Sequence, residues 1–248
     1  MLTIKCKKQR RGAWERLLFY TFLSLVHAAA LAVVPASVSL AVESPSISAD
    51  LDPRHPGPLT ARETIKKVRD SLNRIKPFKV SFLQQVYTDE QLDIEESGKI
   101  IFKNDRLLKW TYLDPDYKVF LLEGDNYQFY DEDNEQLIIG KIKDRSHQWV
   151  WQLLFSDDVF RHYLVGWDEG QKKIRIKNNP GSHTGDTDDM SIDIEILINN
   201  DFLPIKVIQK DPSGALIVYH FKEYKPGIEL ASDTFRLKVP EDVEVIRQ

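Results

Sequence analysis

Residues 78–131 constrain the fold more than any other stretch of the chain. They read FKVSFLQQVYTDEQLDIEESGKIIFKNDRLLKWTYLDPDYKVFLLEGDNYQFYD. Runs rich in Val, Ile, Phe, Tyr and Trp are separated by turn-forming residues, the pattern of consecutive antiparallel strands. On a strand, Leu108, Trp110 and Tyr112 share one face, and Leu107, Lys109 and Thr111 take the other. The next run is apolar on both faces, with Val119 and Leu121 on one and Phe120 and Leu122 on the other. A sheet apolar on both sides must cover its second face or use it.

The same period continues downstream. Ile192, Ile194, Ile196 and Ile198 alternate with mostly polar neighbours, a strand with one apolar face. Further strands are expected over residues 135–142, 163–167, 172–177, 203–210, 215–224 and 235–239, with a turn at Asp211-Pro212-Ser213-Gly214. That makes ten or eleven strands. Residues 146–160, which include Trp149, Leu153 and Phe160, suit one or two short helices instead, and the Gly- and Pro-containing stretch 178–190 is expected to be a loop. Ahead of the sheet, Thr60-x-x-Glu63 has capping-box spacing and Ile65, Val68, Leu72 and Ile75 form one stripe. Pro77 should end that helix. The expected class is α+β, mainly β, with two or three helices.

Residues 1–41 have the anatomy of a secretory signal peptide: six Lys and Arg residues, an apolar run over 17–34, and a small-x-small site at Ser39-Leu40-Ala41. The run also approaches the length of an uncleaved anchor. Residues 42–59, rich in Pro and Ser, read as a flexible lead-in, which leaves 60–248 as a single domain. The one cysteine, Cys6, lies in the basic start, so the remainder folds without disulfides and is not lipid-tethered through cysteine. Without residues 1–41 the chain's 34 basic and 38 acidic residues become 28 and 37. That acidic balance argues against binding nucleic acid or an anionic bilayer by charge.

Catalytic constellations are hard to find. His147, His162, His183 and His220 lack metal-ligand spacing, and Asp186-x-Asp188-Asp189 lacks the glycine and distal glutamate of a calcium loop. No metal site, cofactor motif or nucleophile elbow is visible. Glu95 and Glu96 are adjacent and would point to opposite faces of a strand, a poor start for acid–base work. The chain reads as no enzyme. What stands out is apolar surface in excess of an obvious core. It fits either an ordinary α+β core or a cavity for acyl chains, which needs area rather than catalytic groups.

Short motifs point to a family. Phe82-Leu83-Gln84-Gln85-Val86, Gly98-x-x-x-Phe102, Trp110-x-Tyr112-x-x-Pro115, Leu121-Leu122-Glu123-Gly124 and Tyr127-x-x-Tyr130-Asp131 occur in order. A closing Phe235-x-x-x-Val239-Pro240-x-x-Val243-x-Val245-Ile246 follows. Together they resemble the outer-membrane lipoprotein carrier family, LolA-like, from about residue 61 to the end. The resemblance implies an unclosed antiparallel β-barrel with a helical lid over an apolar cavity. It implies a monomeric periplasmic carrier that takes lipoproteins from an inner-membrane transporter, shields their acyl chains, and delivers them to an outer-membrane acceptor. The expected cavity lining is Phe82, Leu108, Trp110, Tyr112, Leu121, Trp149 and Leu153, under a lid made of the first helix and residues 146–160. Known members latch the lid with an arginine; Asn104 aligns with it here, and Arg106 is the nearest candidate. Two rivals share the fold: a sensor or shuttle of lipids or lipoproteins, and an enzyme with a polar cluster at His162, Tyr163 and His220.

Overall fold

Apolar alternation along residues 78–141 produces six successive antiparallel strands. In the computed structural model, which describes residues 59–104, 106–141, 160, 163–178, 193–210 and 214–248, they are β1 (Phe78–Thr88), β2 (Gln91–Asn104), β3 (Leu107–Asp114), β4 (Lys118–Glu123), β5 (Asn126–Asp131) and β6 (Gln136–Lys141). Then come β7 (Tyr163–Asp168), β8 (Lys173–Asn178), β9 (Asp193–Ile198), β10 (Pro204–Lys210), β11 (Leu216–Pro226) and β12 (Glu244–Arg247). All twelve join one sheet in the order β12-β6-β5-β4-β3-β2-β1-β11-β10-β9-β8-β7. The terminal strands β12 and β7 are not paired to each other, so the sheet is unclosed. Every ladder is antiparallel except β12 on β6, which is parallel. The β1–β11 ladder welds the two series of hairpins together.

Before the sheet stands α1 (Ala61–Ile75). Its start is the capping box: the Thr60 hydroxyl accepts from the Glu63 amide at 3.2 Å, and the Glu63 carboxylate accepts from the Thr60 amide at 2.8 Å. It ends at Lys76, ahead of Pro77. Ile65, Val68 and Leu72 are completely buried, as the stripe requires. Its C-terminal end feeds β1, and its body packs against β7 at the far edge. Fifteen residues span about 22 Å, enough to cross the β11–β7 half of the sheet at about 4.8 Å per strand. Lys76 lies over the Phe102 ring and Lys67 over the Phe202 ring.

Two sequence expectations are corrected. Among the described residues the sheet has twelve strands rather than ten or eleven. Residues 235–239 are not a strand: the carbonyls of Thr234 and Arg236 are engaged by the Lys109 ammonium, at 3.0 and 3.5 Å, instead of by a ladder. Pro240 has no amide hydrogen to offer one. The chain regains strand geometry only after it, as β12. The predicted signal peptide, the lead-in to residue 58, the helical stretch 146–159 with Trp149 and Leu153, and loop residues 179–190 lie outside the described residues. So do Asp211, Pro212 and Ser213 of the expected turn.

Candidate functional site

Cross-strand register decides which side chains share a surface, because paired residues point to the same face. One row runs Phe78, Phe102, Leu108, Leu122, Tyr127 and Gly140 across β1 to β6. The next runs Val80, Ile100, Trp110, Phe120, Phe129 and Ile138. A third links Phe221, Phe82, Gly98, Tyr112, Lys118 and Asp131. Beyond β11 the same face continues through Tyr219, Val207, Ile196, Ile174 and Trp167. This is the inner face, the side on which Lys76 at the end of α1 meets Phe102.

Its floor is aromatic. Phe82 sits edge-on to both Trp110 and Tyr112, with ring centroids 5.2 and 5.0 Å apart. Trp110 also stacks on Tyr112 and meets Tyr219 edge-on at 5.6 Å, and Tyr219 stacks on Phe221. Gly98 makes room for Phe82: a Cβ there would stand 2.9 Å from the Phe82 ring and 2.0 Å from the Thr111 carbonyl oxygen. Of the residues expected to line a cavity, Phe82, Leu108, Trp110 and Tyr112 are brought onto this one face. Leu121 is not. It pairs with Lys109 and Gln128, which puts it on the opposite face. That outer face of β3 is crossed by the segment carrying Thr234 and Arg236, which explains why β4 is buried on both sides. Trp149 and Leu153 fall outside the described residues.

One end of the floor is polar, and sequence reasoning missed it as a unit. Lys118 Nζ donates to Glu96 Oε1 at 2.7 Å, and Gln84 Nε2 donates to Glu96 Oε2 at 3.3 Å. Tyr112 Oη donates to Gln84 Oε1 at 2.9 Å. The Lys118 and Glu96 side chains are only 5% and 4% exposed. Burial holds the Tyr112 and Tyr219 phenols well above the usual tyrosine range, and the nearby Glu96 carboxylate pushes both the same way. The one available signal was Glu96 pointing opposite to Glu95, and Glu95 indeed faces outward to Gln85 at 2.8 Å.

Arg106, the candidate latch, is 71% exposed and lies 3.7 Å from Asp125. Its guanidinium sits over Gly124, and its carbonyl accepts from the Gly124 amide at 2.7 Å. These contacts set it, from the turn between β2 and β3, against the turn between β4 and β5. Tyr163 and His220 do not meet: their strands are separated by β8, β9 and β10, and the register puts them on opposite faces. His162 lies outside the described residues. His220 instead lines an outer groove of about 490 Å³ with Gln85, Tyr87, Lys206, Leu216 and Val218. Burial lowers its pKa, helped by Lys206 and Lys222. Among the described residues no group of His, Cys, Asp and Glu could hold a metal ion.

Residues 73–238 match the family described as outer membrane lipoprotein carrier protein LolA. An outer-membrane lipoprotein carrier protein of Pseudoalteromonas translucida is 26% identical over 180 residues, covering 72% of this chain and 84% of its own. One from Francisella philomiragia is 23% identical over 186 residues, covering 71% and 86%. Among solved structures, a LolA superfamily protein from Nitrosomonas europaea is 11% identical, with a TM-score of 0.44 over 73% of this chain and 99% of that one.

Proposed function

The chain belongs to the LolA outer-membrane lipoprotein carrier family, and on that premise we propose that it is a periplasmic carrier that shelters lipoprotein acyl chains on the inner face of its sheet. The observation that carries this reading is the broad apolar floor, aromatic at its centre, aliphatic toward β7 and polar only at one end, on a sheet that does not close. Apolar ligands bind by burial, at about 0.8 kcal/mol per methylene, so such a floor needs no catalytic group. From the row of Gln84 to that of Phe78 is six residues, or about 20 Å of strand, close to the length of an extended long acyl chain.

In this reading α1 forms the lid. When the carrier is empty, lid side chains such as Ile65, Val68 and Leu72 occupy the apolar surface; acyl chains replace them on loading. Exchanging one set of apolar contacts for another keeps affinity moderate, so the cargo can be handed on. Lipoproteins arrive from an inner-membrane transporter and leave to an outer-membrane acceptor, with the carrier acting as a monomer.

The test is to express the full chain together with a triacylated model lipoprotein and weigh the complexes by native mass spectrometry. A parallel cargo has its acylated cysteine changed to serine. The expected result is a one-to-one complex with the acylated cargo and none with the serine form. Capture of both forms alike would sink the acyl-chain reading. Capture of free phospholipid alone would make the protein a lipid shuttle or sensor instead.

A further inference from the structure

The floor of the inner face is interrupted where Lys118, Glu96, Gln84, Tyr112 and Tyr219 meet. Stability does not call for an ion pair there, because a buried pair is commonly replaced by apolar side chains of similar volume at no loss. Hydrocarbon chains gain nothing from it either. The hydrogen-bond inventory points elsewhere. Each acceptor of the Glu96 carboxylate and the Gln84 carbonyl already receives a bond. The donors are in surplus. Of the three N–H groups of Lys118, one is engaged by Glu96, and the Gln84 amide also has an N–H to spare. The Tyr219 hydroxyl, on the residue paired in register with Gln84, is a further donor on the same face.

Charge narrows the ligand. The Lys118 ammonium is matched by the Glu96 carboxylate, and the buried Asp131 carboxylate follows Lys118 in the same row, so an added anion would go unmatched in a place that water hardly reaches. A neutral acceptor would not. Buried donors that lack acceptors discriminate strongly in favour of a ligand that supplies them. Resting on the carrier reading, we propose that this cluster is a carbonyl subsite: it takes the neutral ester and amide carbonyls where acyl chains join their polar head, while the chains lie along the aromatic floor. The cluster adjoins that floor directly, since Tyr112 belongs to both.

Two lipopeptide probes of equal chain length test this with the purified full chain: one with ester-linked glyceryl chains, one with ether-linked chains that lack those carbonyls. Binding is followed by calorimetry. The native protein should prefer the ester probe by about tenfold or more. The double variant Glu96→Leu/Lys118→Met should bind both probes alike. Tyr219→Phe, which removes one hydroxyl and keeps the ring, should lose part of the preference, and it keeps the test decisive if the double variant does not fold. Equal affinities in the native protein, or a preference kept in full by both variants, would overturn the subsite. So would tighter binding of the free fatty-acid anion than of the ester. Failure of the native protein to bind either probe would instead refute the carrier reading beneath it.

Discussion

At the scale of single residues, Gly98 shows how tightly the floor is drawn. A methyl group there would lie 2.0 Å from the Thr111 carbonyl oxygen, a backbone atom that cannot swing aside. Gly98→Ala should therefore destabilise the fold by about 1–3 kcal/mol, the usual cost of overpacking. Gly166→Ala, at a position with nothing within 4 Å, should stay within about 0.5 kcal/mol. Urea midpoints at constant slope decide it; equal midpoints for the two variants would show that β2 and β3 can part without cost. Glycine was visible in the sequence as part of a motif, but the reason for it was not, because the close approach arises at a register shift between Ser97 and Gly98. The same limit explains Leu121. Period two puts Leu108, Trp110 and Tyr112 on one face, yet the phase on the next strand depends on the turn between Asp114 and Lys118. Lys118 and Glu96 are 22 residues apart, and no local pattern announces such a pair.

At the scale of elements, local signals served well wherever a segment's partners were local. The capping box, the buried stripe of α1 and the alternation of β9 formed as their residues dictate. Residues 235–239 failed because their partner is the β3 side chain Lys109, more than a hundred residues away. That contact is itself testable. Burial lowers the pKa of Lys109, with Lys99 adding to the effect, so the ammonium keeps its place by bonding the two carbonyls. Lys109→Met preserves the stem but removes the donor. It should cost about 1 kcal/mol and speed amide exchange at Thr234 and Arg236, whose amides bond to Ala231 and Asp233. The β1–β2 amides should not change. Uniform exchange across both regions would mean that the ammonium does not hold the segment on the sheet.

At the scale of the whole molecule, the pairing of β1 with β11 turns two series of hairpins into one surface, and it joins residues that no sequence window contains together. A surface of that kind is useful to a carrier only if it keeps water out, and its phenols report on that. Burial raises the pKa values of Tyr112, Tyr219 and Tyr224 above the ordinary tyrosine value. In the unfolded chain these phenols ionise near pH 10. Below that pH both states keep their protons, so the stabilisation from the raised values is fully present. As the pH climbs past about 10, the unfolded chain gives up protons that the folded one retains, and stability falls. Tyrosinate absorbance should therefore rise in two stages, first from the accessible tyrosines and then from the buried set, the second coinciding with loss of the far-ultraviolet β-sheet signal. Tyr219→Phe, with one buried phenol fewer, should move that collapse to higher pH. If instead the buried phenols ionised while the sheet signal held, the inner face would be open to water. A wet floor could not shelter acyl chains, because the burial that binds them would already have been surrendered to solvent.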